Sequence, residues 1–128
     1  MNNSSRGTLQ AATVIAKTTQ TIMGAEIGCA HYDYFTLYFQ YVKGDETGAV
    51  VQAHVMPTTG GTAHQDLTWT SATGTKTATL NEYTVTASGN YYIMFDVHAI
   101  EFIKFTQGGS NNDGTPTGTI AASYAMLG

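Results

Sequence analysis

The chain has 128 residues, a length suited to one domain, and its five basic and nine acidic residues leave a formal charge of −4. The basic residues Arg6, Lys17, Lys43, Lys76 and Lys104 are scattered along the chain, which excludes the clustered cationic footprint that nucleic-acid binding needs. Charged side chains make up only 11% of the total, and 22 threonines and 14 glycines take their place, a composition suited to the outer faces and turns of an all-β fold.

Residues 1–10 open with small polar side chains and read as a flexible N-terminal arm, followed by a single domain over residues 11–128. The opening lacks the apolar run of a signal peptide, and no segment approaches the ~20 apolar residues of a membrane span. The expectation is a protein made in a cytoplasm. Ala12 to Thr19 is strand-like, although Val14 and Ile15 leave no clean face. Ile22 to Ala30 carries Gly24 and Gly28, which argue against a long helix and for a bent or edge strand. Cys29 has no partner for an internal disulfide, and a small buried thiol is its expected state.

Tyr32 to Lys43 alternates without a break: Phe35, Leu37, Phe39 and Tyr41 face one way, Tyr34, Thr36, Tyr38 and Gln40 the other. A strand with the first set in the core is expected. Gly44 to Gly48 has the composition of a hairpin loop, and the return strand runs from Ala49 to Met56 with Val51, Ala53 and Val55 inward and Gln52, His54 and Met56 outward. Leu67 and Trp69 share a face of a short strand. From Lys76 to Ala87 the expected core face runs through Ala78 and Leu80, then Tyr83 and Val85, and so changes parity near Asn81, the mark of a bulge or a break. The stretch from Ser88 to Phe105 has the highest apolar density and packs two β-prone runs back to back, Tyr91, Ile93, Phe95 and Val97 sharing one face of the first run. The second run suits a partner strand returning beside it. Gly108 to Gly114 reads as a loop, and Ile120, Ala122, Tyr124 and Met126 line up in the last strand. About eight strands at short spacing predict an all-β, two-sheet antiparallel β-sandwich of jelly-roll type.

Recognisable chemistry is absent from the sequence. His31 and Asp33, like His64 and Asp66, are spaced to share a strand face, but a metal site wants three or four ligands and no spacing links one pair to the other. No nucleophile elbow, phosphate loop or dinucleotide fingerprint occurs. No catalytic, cofactor or metal residues are assigned, and no enzyme is expected. With Phe35, Leu37 and Phe39 inward, Tyr34 and Tyr38 point outward, as do Met56, Tyr92 and Met94 by the same rule. Such an apolar outer face predicts a homo-oligomer or a subunit docked on a larger surface, with these five residues as the partner contact. A carbohydrate-binding module is the reading from another class, with Trp69, Tyr32, Tyr34, Tyr38 and Tyr92 as a stacking platform. Against it, the Leu67/Trp69 alternation favours Trp69 in the core.

The run Ser88-Gly89-Asn90-Tyr91-Tyr92, then Glu101-Phe102-Ile103-Lys104-Phe105, then Gly114-Thr115-Pro116-Thr117-Gly118-Thr119-Ile120 resembles the end of small β-sandwich virion proteins of tailed bacteriophages. The resemblance covers the last third of the chain. It implies a structural role in the virion, as a capsid decoration or cement subunit or as a tail or neck component, with other virion proteins as partners.

Overall fold

The structure is a computed structural model that describes residues 3–17, 19–72, 74–110 and 115–128, with the side chains of residues 69–72, 75 and 77 outside that description. Its strands among the described residues are β1 (Ser4–Val14), β2 (Thr21–Ile22), β3 (Ile27–Gly28), β4 (Tyr34–Val42), β5 (Ala49–Met56), β6 (His64–Gln65), β7 (Leu67–Ala72), β8 (Thr75–Leu80), β9 (Glu82–Val85), β10 (Gly89–Asp96), β11 (Phe102–Gly109) and β12 (Thr119–Leu127). They form a two-sheet antiparallel β-sandwich. One sheet has the order β1-β12-β4-β10; the other runs β2-β11-β5-β6, with β3 also on β11 and β9 also on β5. A separate two-stranded ribbon joins β7 to β8.

The core lies between the sheets where alternation puts it. Phe35, Leu37, Phe39 and Tyr41 of β4, with Ile120, Ala122 and Met126 of β12, are buried against Val51 of β5 and Ile103 and Phe105 of β11. The Phe105 ring lies 5.3 Å from Phe35 and 5.4 Å from Phe95, centroid to centroid, so aromatic contacts tie the two sheets together. Each such pair adds about 0.5–1.5 kcal/mol beyond its area burial.

Three expectations are corrected. The first ten residues are not a loose arm: Ser4–Val14 pairs antiparallel with β12, and Asn3 and Gly128 exchange backbone hydrogen bonds of 2.9 and 2.8 Å. Leu9 anchors the strand in the core, and ladder bonds are made by the backbone, whatever the polarity of the side chains. Second, β10 and β11 are not neighbours, since β10 pairs with β4 in one sheet and β11 with β5 in the other. The same holds for β4 and β5, whose connecting loop crosses between sheets instead of closing a hairpin. Third, Leu80 is half exposed, because β8 belongs to the β7–β8 ribbon and leaves the sandwich. The break near Asn81 is where the chain returns to it as β9, paired with β5.

Candidate interaction surface

The four-stranded sheet turns one face to the core and one to solvent. On β4 the core-facing residues alternate with exposed Tyr34, Tyr38, Gln40 and Val42; on β10, half-buried Tyr91, Ile93 and Phe95 alternate with exposed Asn90, Tyr92, Met94 and Asp96. Register brings these into rows: Tyr92 stands opposite Tyr38, Met94 opposite Thr36, and Asp96 opposite Tyr34. The Tyr38 and Tyr92 rings sit 6.4 Å apart, inclined at 41°. The rows continue onto β12, where Leu127 faces Tyr34 and Ala125 faces Thr36. Tyr34 is 48% exposed, Tyr38 46%, Tyr92 67%, Met94 63% and Leu127 51%.

Four of the five residues expected at a partner contact, Tyr34, Tyr38, Tyr92 and Met94, therefore share one exposed face. Met56 does not join them. It is 2% exposed, at the end of β5 in the opposite sheet, opposite Phe102 of β11. The chain then folds back, the Gly60 N–H donating to the Glu26 carboxylate at 3.0 Å. Alternation tells from which side of a sheet a side chain leaves and says nothing of what covers that side. Leu127 and Val42 belong to the exposed face and were not singled out from the sequence, although Val42 shares the parity of Tyr34 and Tyr38, and Leu127 is out of phase with the core-facing Ile120, Ala122 and Met126.

At one end of this face the chain leaves β10 through Val97, His98 and Ala99, whose φ of 61° is left-handed. The His98 ring is held on both nitrogens, Nδ1 by Asp96 at 2.5 Å and Nε2 by Asp33 at 3.1 Å, and the Tyr34 ring meets it edge to face at 5.7 Å. The hydrogen bond to Asp96 and the charge of Asp33 raise the imidazole above its usual range. An imidazole with a carboxylate on each nitrogen has no free nitrogen to act as a general base or metal ligand. Sequence spacing suggested His31 with Asp33 and His64 with Asp66; the fold gives Asp33 to His98, while Asp66 accepts from the Leu67 N–H at 2.9 Å. No three His, Cys, Asp or Glu side chains among the described residues cluster as a metal site. The Cys29 thiol is buried and pushed up to about 11 by desolvation and by the Glu101 charge, the opposite of an activated nucleophile. The side chain of Trp69, a candidate sugar platform, lies outside the described residues, and Tyr32 packs against the core.

A second polar cluster is structural. Glu46, in the loop from β4 to β5, is 1% exposed and accepts from the Tyr41 hydroxyl and from the N–H groups of Gly44 at 2.8 Å, Thr117 at 3.1 Å and Gly118 at 2.8 Å. Burial pushes its carboxyl up, but the bonds from Tyr41, Gly44 and Gly118 outweigh it and hold it at about 2. The cluster ties this loop to the start of β12. It was missed in the sequence, where a usable signal existed: a tyrosine on a core face needs a partner for its hydroxyl.

The fold and the face together define a two-sheet antiparallel sandwich of jelly-roll type that leaves an apolar sheet surface uncovered. No protein-family model matches the chain, and no curated protein matches it in sequence. Its architecture is shared with the SPBc2 prophage-derived protein YomS, at 16% identity over 100% of this chain and 96% of that one, with a TM-score of 0.56. It is shared also with infectious bursal disease virus proteins: the VP2 subviral particle, at 11% identity over 98% of this chain and a TM-score of 0.56, and the Gx strain, at 13% identity over 99% and a TM-score of 0.51. The chain spans about a third of the length of these two virus proteins, 32% and 33%. At these identities the likeness is one of fold.

Proposed function

We propose that this chain is a non-enzymatic structural subunit of a tailed-phage virion, a capsid decoration or cement protein that adheres to neighbouring subunits by burying the outer face of the four-stranded sheet. The observation that carries the reading is the row of exposed Tyr34, Tyr38, Tyr92, Met94 and Leu127 on one continuous sheet. Lone domains rarely leave such a patch uncovered, and tyrosine and methionine are residues that interfaces enrich. A fold shared from end to end with a prophage-derived protein supports the setting, as does the C-terminal resemblance to phage virion proteins. The virion is the expected location, after synthesis in the host cytoplasm. Repeated around a shell, contacts of about 1,600 Å² each would resist internal pressure.

The test is co-sedimentation of the purified chain with empty phage capsids, beside a Tyr38→Ser/Tyr92→Ser variant. Binding by the parent that the variant loses supports decoration. Binding to tails or necks instead moves the subunit to that part of the particle, the alternative within the same class. Absence of binding to any particle component, with retention on a glycan array, would sink the proposal in favour of a carbohydrate-binding module.

A further inference from the structure

The four-stranded sheet ends in two very different edges. At one, β1 carries two register irregularities, between Thr8 and Gln10 and between Gln10 and Thr13, and it bears Arg6. Bulges and basic residues are devices that blunt an edge against further pairing. At the other edge, β10 runs in unbroken register against β4 for eight residues and contains no proline, no lysine and no bulge. No strand among the described residues pairs with its far side.

Which groups it presents follows from one hydrogen bond. The Val97 N–H donates to the Asp33 carbonyl at 2.9 Å, and Val97 continues the register in which Asp96 faces Tyr34. The N–H and C=O groups of a strand alternate in direction, so Tyr91, Ile93 and Phe95 bond to β4 like Val97, while Asn90, Tyr92, Met94 and Asp96 aim theirs away from the sheet. The same four residues carry the exposed side chains of the strand.

We infer that this edge pairs antiparallel with β10 of a second copy of the chain, about a two-fold axis at Ile93, joining two four-stranded sheets into one. Only this register satisfies the outward groups of all four residues together, by setting Tyr92 against Met94 of the second copy and Asn90 against Asp96 of the second copy. The side chains agree with the backbone. Asp96 is the only charged residue in β10, so a register centred on it would oppose two carboxylates. The register centred on Ile93 instead gives each Asp96 carboxylate an amide donor from Asn90, and each Tyr92 ring a thioether neighbour. The axis stands perpendicular to the sheet, so both Tyr34–Tyr38–Tyr92–Met94 faces lie on the same side of the joined sheet. The pairing holds whether the chain serves a head or a tail, and it does not depend on the virion reading.

Sedimentation velocity of the full chain from about 1 to 100 μM, in the range where interfaces of modest size equilibrate, tests it with two variants. Asn90→Asp sets two carboxylates against each other at both ends of the pairing, and the dimer dissociation constant should rise at least about ten-fold. Adding Asp96→Asn to that variant exchanges the two partners and should restore the dimer. Circular dichroism on each variant verifies that the sandwich is folded. A parent chain that stays monomeric overturns the inference, as does a dimer indifferent to Asn90→Asp or a variant that the second change fails to rescue. Capsid binding by a monomer that Asn90→Asp abolishes also overturns it, by giving the edge to a different chain.

Discussion

Glu46 offers the sharpest test of what holds the sandwich together. Its two carboxylate oxygens divide four donors, Oε1 taking the Thr117 and Gly118 amides and Oε2 the Gly44 amide and the Tyr41 hydroxyl. In Glu46→Gln one oxygen becomes an NH₂ group that faces a backbone N–H, so at least one bond is lost and the others lose their charge. At 1.5–3 kcal/mol for a hydrogen bond to a charged group, about 2–3 kcal/mol of stability should go. Glu46→Ala strands all four donors in a buried site and should cost about 3–5 kcal/mol. An independent figure comes from proton linkage. The carboxyl moves from its ordinary 4.5 to about 2 on folding, and at 1.36 kcal/mol per unit that is about 3 kcal/mol. Because the folded pKa is the lower one, the unfolded chain binds more protons between these values. The contribution is therefore whole above pH ~4.5 and lost as pH falls towards 2. Urea unfolding of parent and Glu46→Gln from pH 7 down to pH 2.5 measures both quantities. The two proteins should differ by about 2–3 kcal/mol at neutral pH and converge in acid. A difference below about 0.5 kcal/mol at pH 7, or parallel curves, would refute the reasoning.

Glycines make a graded series by thermal unfolding. Gly24 and Gly60 share nearly the same left-handed φ, 67° and 68°, but a Cβ on Gly24 meets the Leu9 carbonyl whereas one on Gly60 meets nothing within 4 Å. Gly60→Ala should cost about 1 kcal/mol of backbone strain, and Gly24→Ala clearly more. Gly118→Ala, whose Cβ would press on the Glu46 carboxylate and lie 2.7 Å from the Val42 carbonyl, should match Glu46→Ala in severity. His98 should titrate above its usual range by NMR, and Asp96→Asn should bring it back down, since the hydrogen bond to Asp96 is the main cause of its rise. The folded pKa being the raised one, the His98 contribution to the pairing with Asp33 and Asp96 is full below the ordinary histidine range, as long as the two carboxylates stay ionised, and fades as pH climbs through the raised value; a His98 titration unchanged by Asp96→Asn contradicts the assignment. Cys29 should react with a thiol reagent only as fast as the native protein opens, because the thiol is buried and pushed up to about 11. Rapid stoichiometric labelling would show the site to be open.

Alternation made the strand faces legible, and it did so because the chain is so regular. The bounds of β5 coincide with the run from Ala49 to Met56, and Phe35, Leu37, Phe39 and Tyr41 are all in the core as their spacing demands. The change of parity at Asn81 is a real change of sheet. Four of the five residues expected at a partner contact are exposed for the same reason. Two things were not legible. A strand built from Ser, Thr and Gln carries no hydrophobic period, so β1 read as an arm although its backbone completes the sheet. Nor does period two carry any information about which strand lies alongside, so both short connections, 43–48 and 97–101, looked like hairpin turns.

In the fold, each of those connections is a corner between sheets, and each is organised by a carboxylate that sequence reasoning passed over or placed elsewhere. Glu46 binds the first corner to the start of β12. At the second, Asp96 holds both the His98 N–H and the His98 ring, while Asp33 reaches the same ring from the start of β4. The second corner has the larger consequence. Had β11 turned back beside β10, the outward N–H and C=O groups of Asn90, Tyr92, Met94 and Asp96 would all be spent within the chain. Because β11 departs to the opposite sheet, they are left facing outward beside an apolar face, and a strand in that condition is stable in solution only with water or another strand to satisfy it. The same jump that hid the topology from the sequence thus leaves β10 as the open edge that we propose pairs with a second copy of the chain.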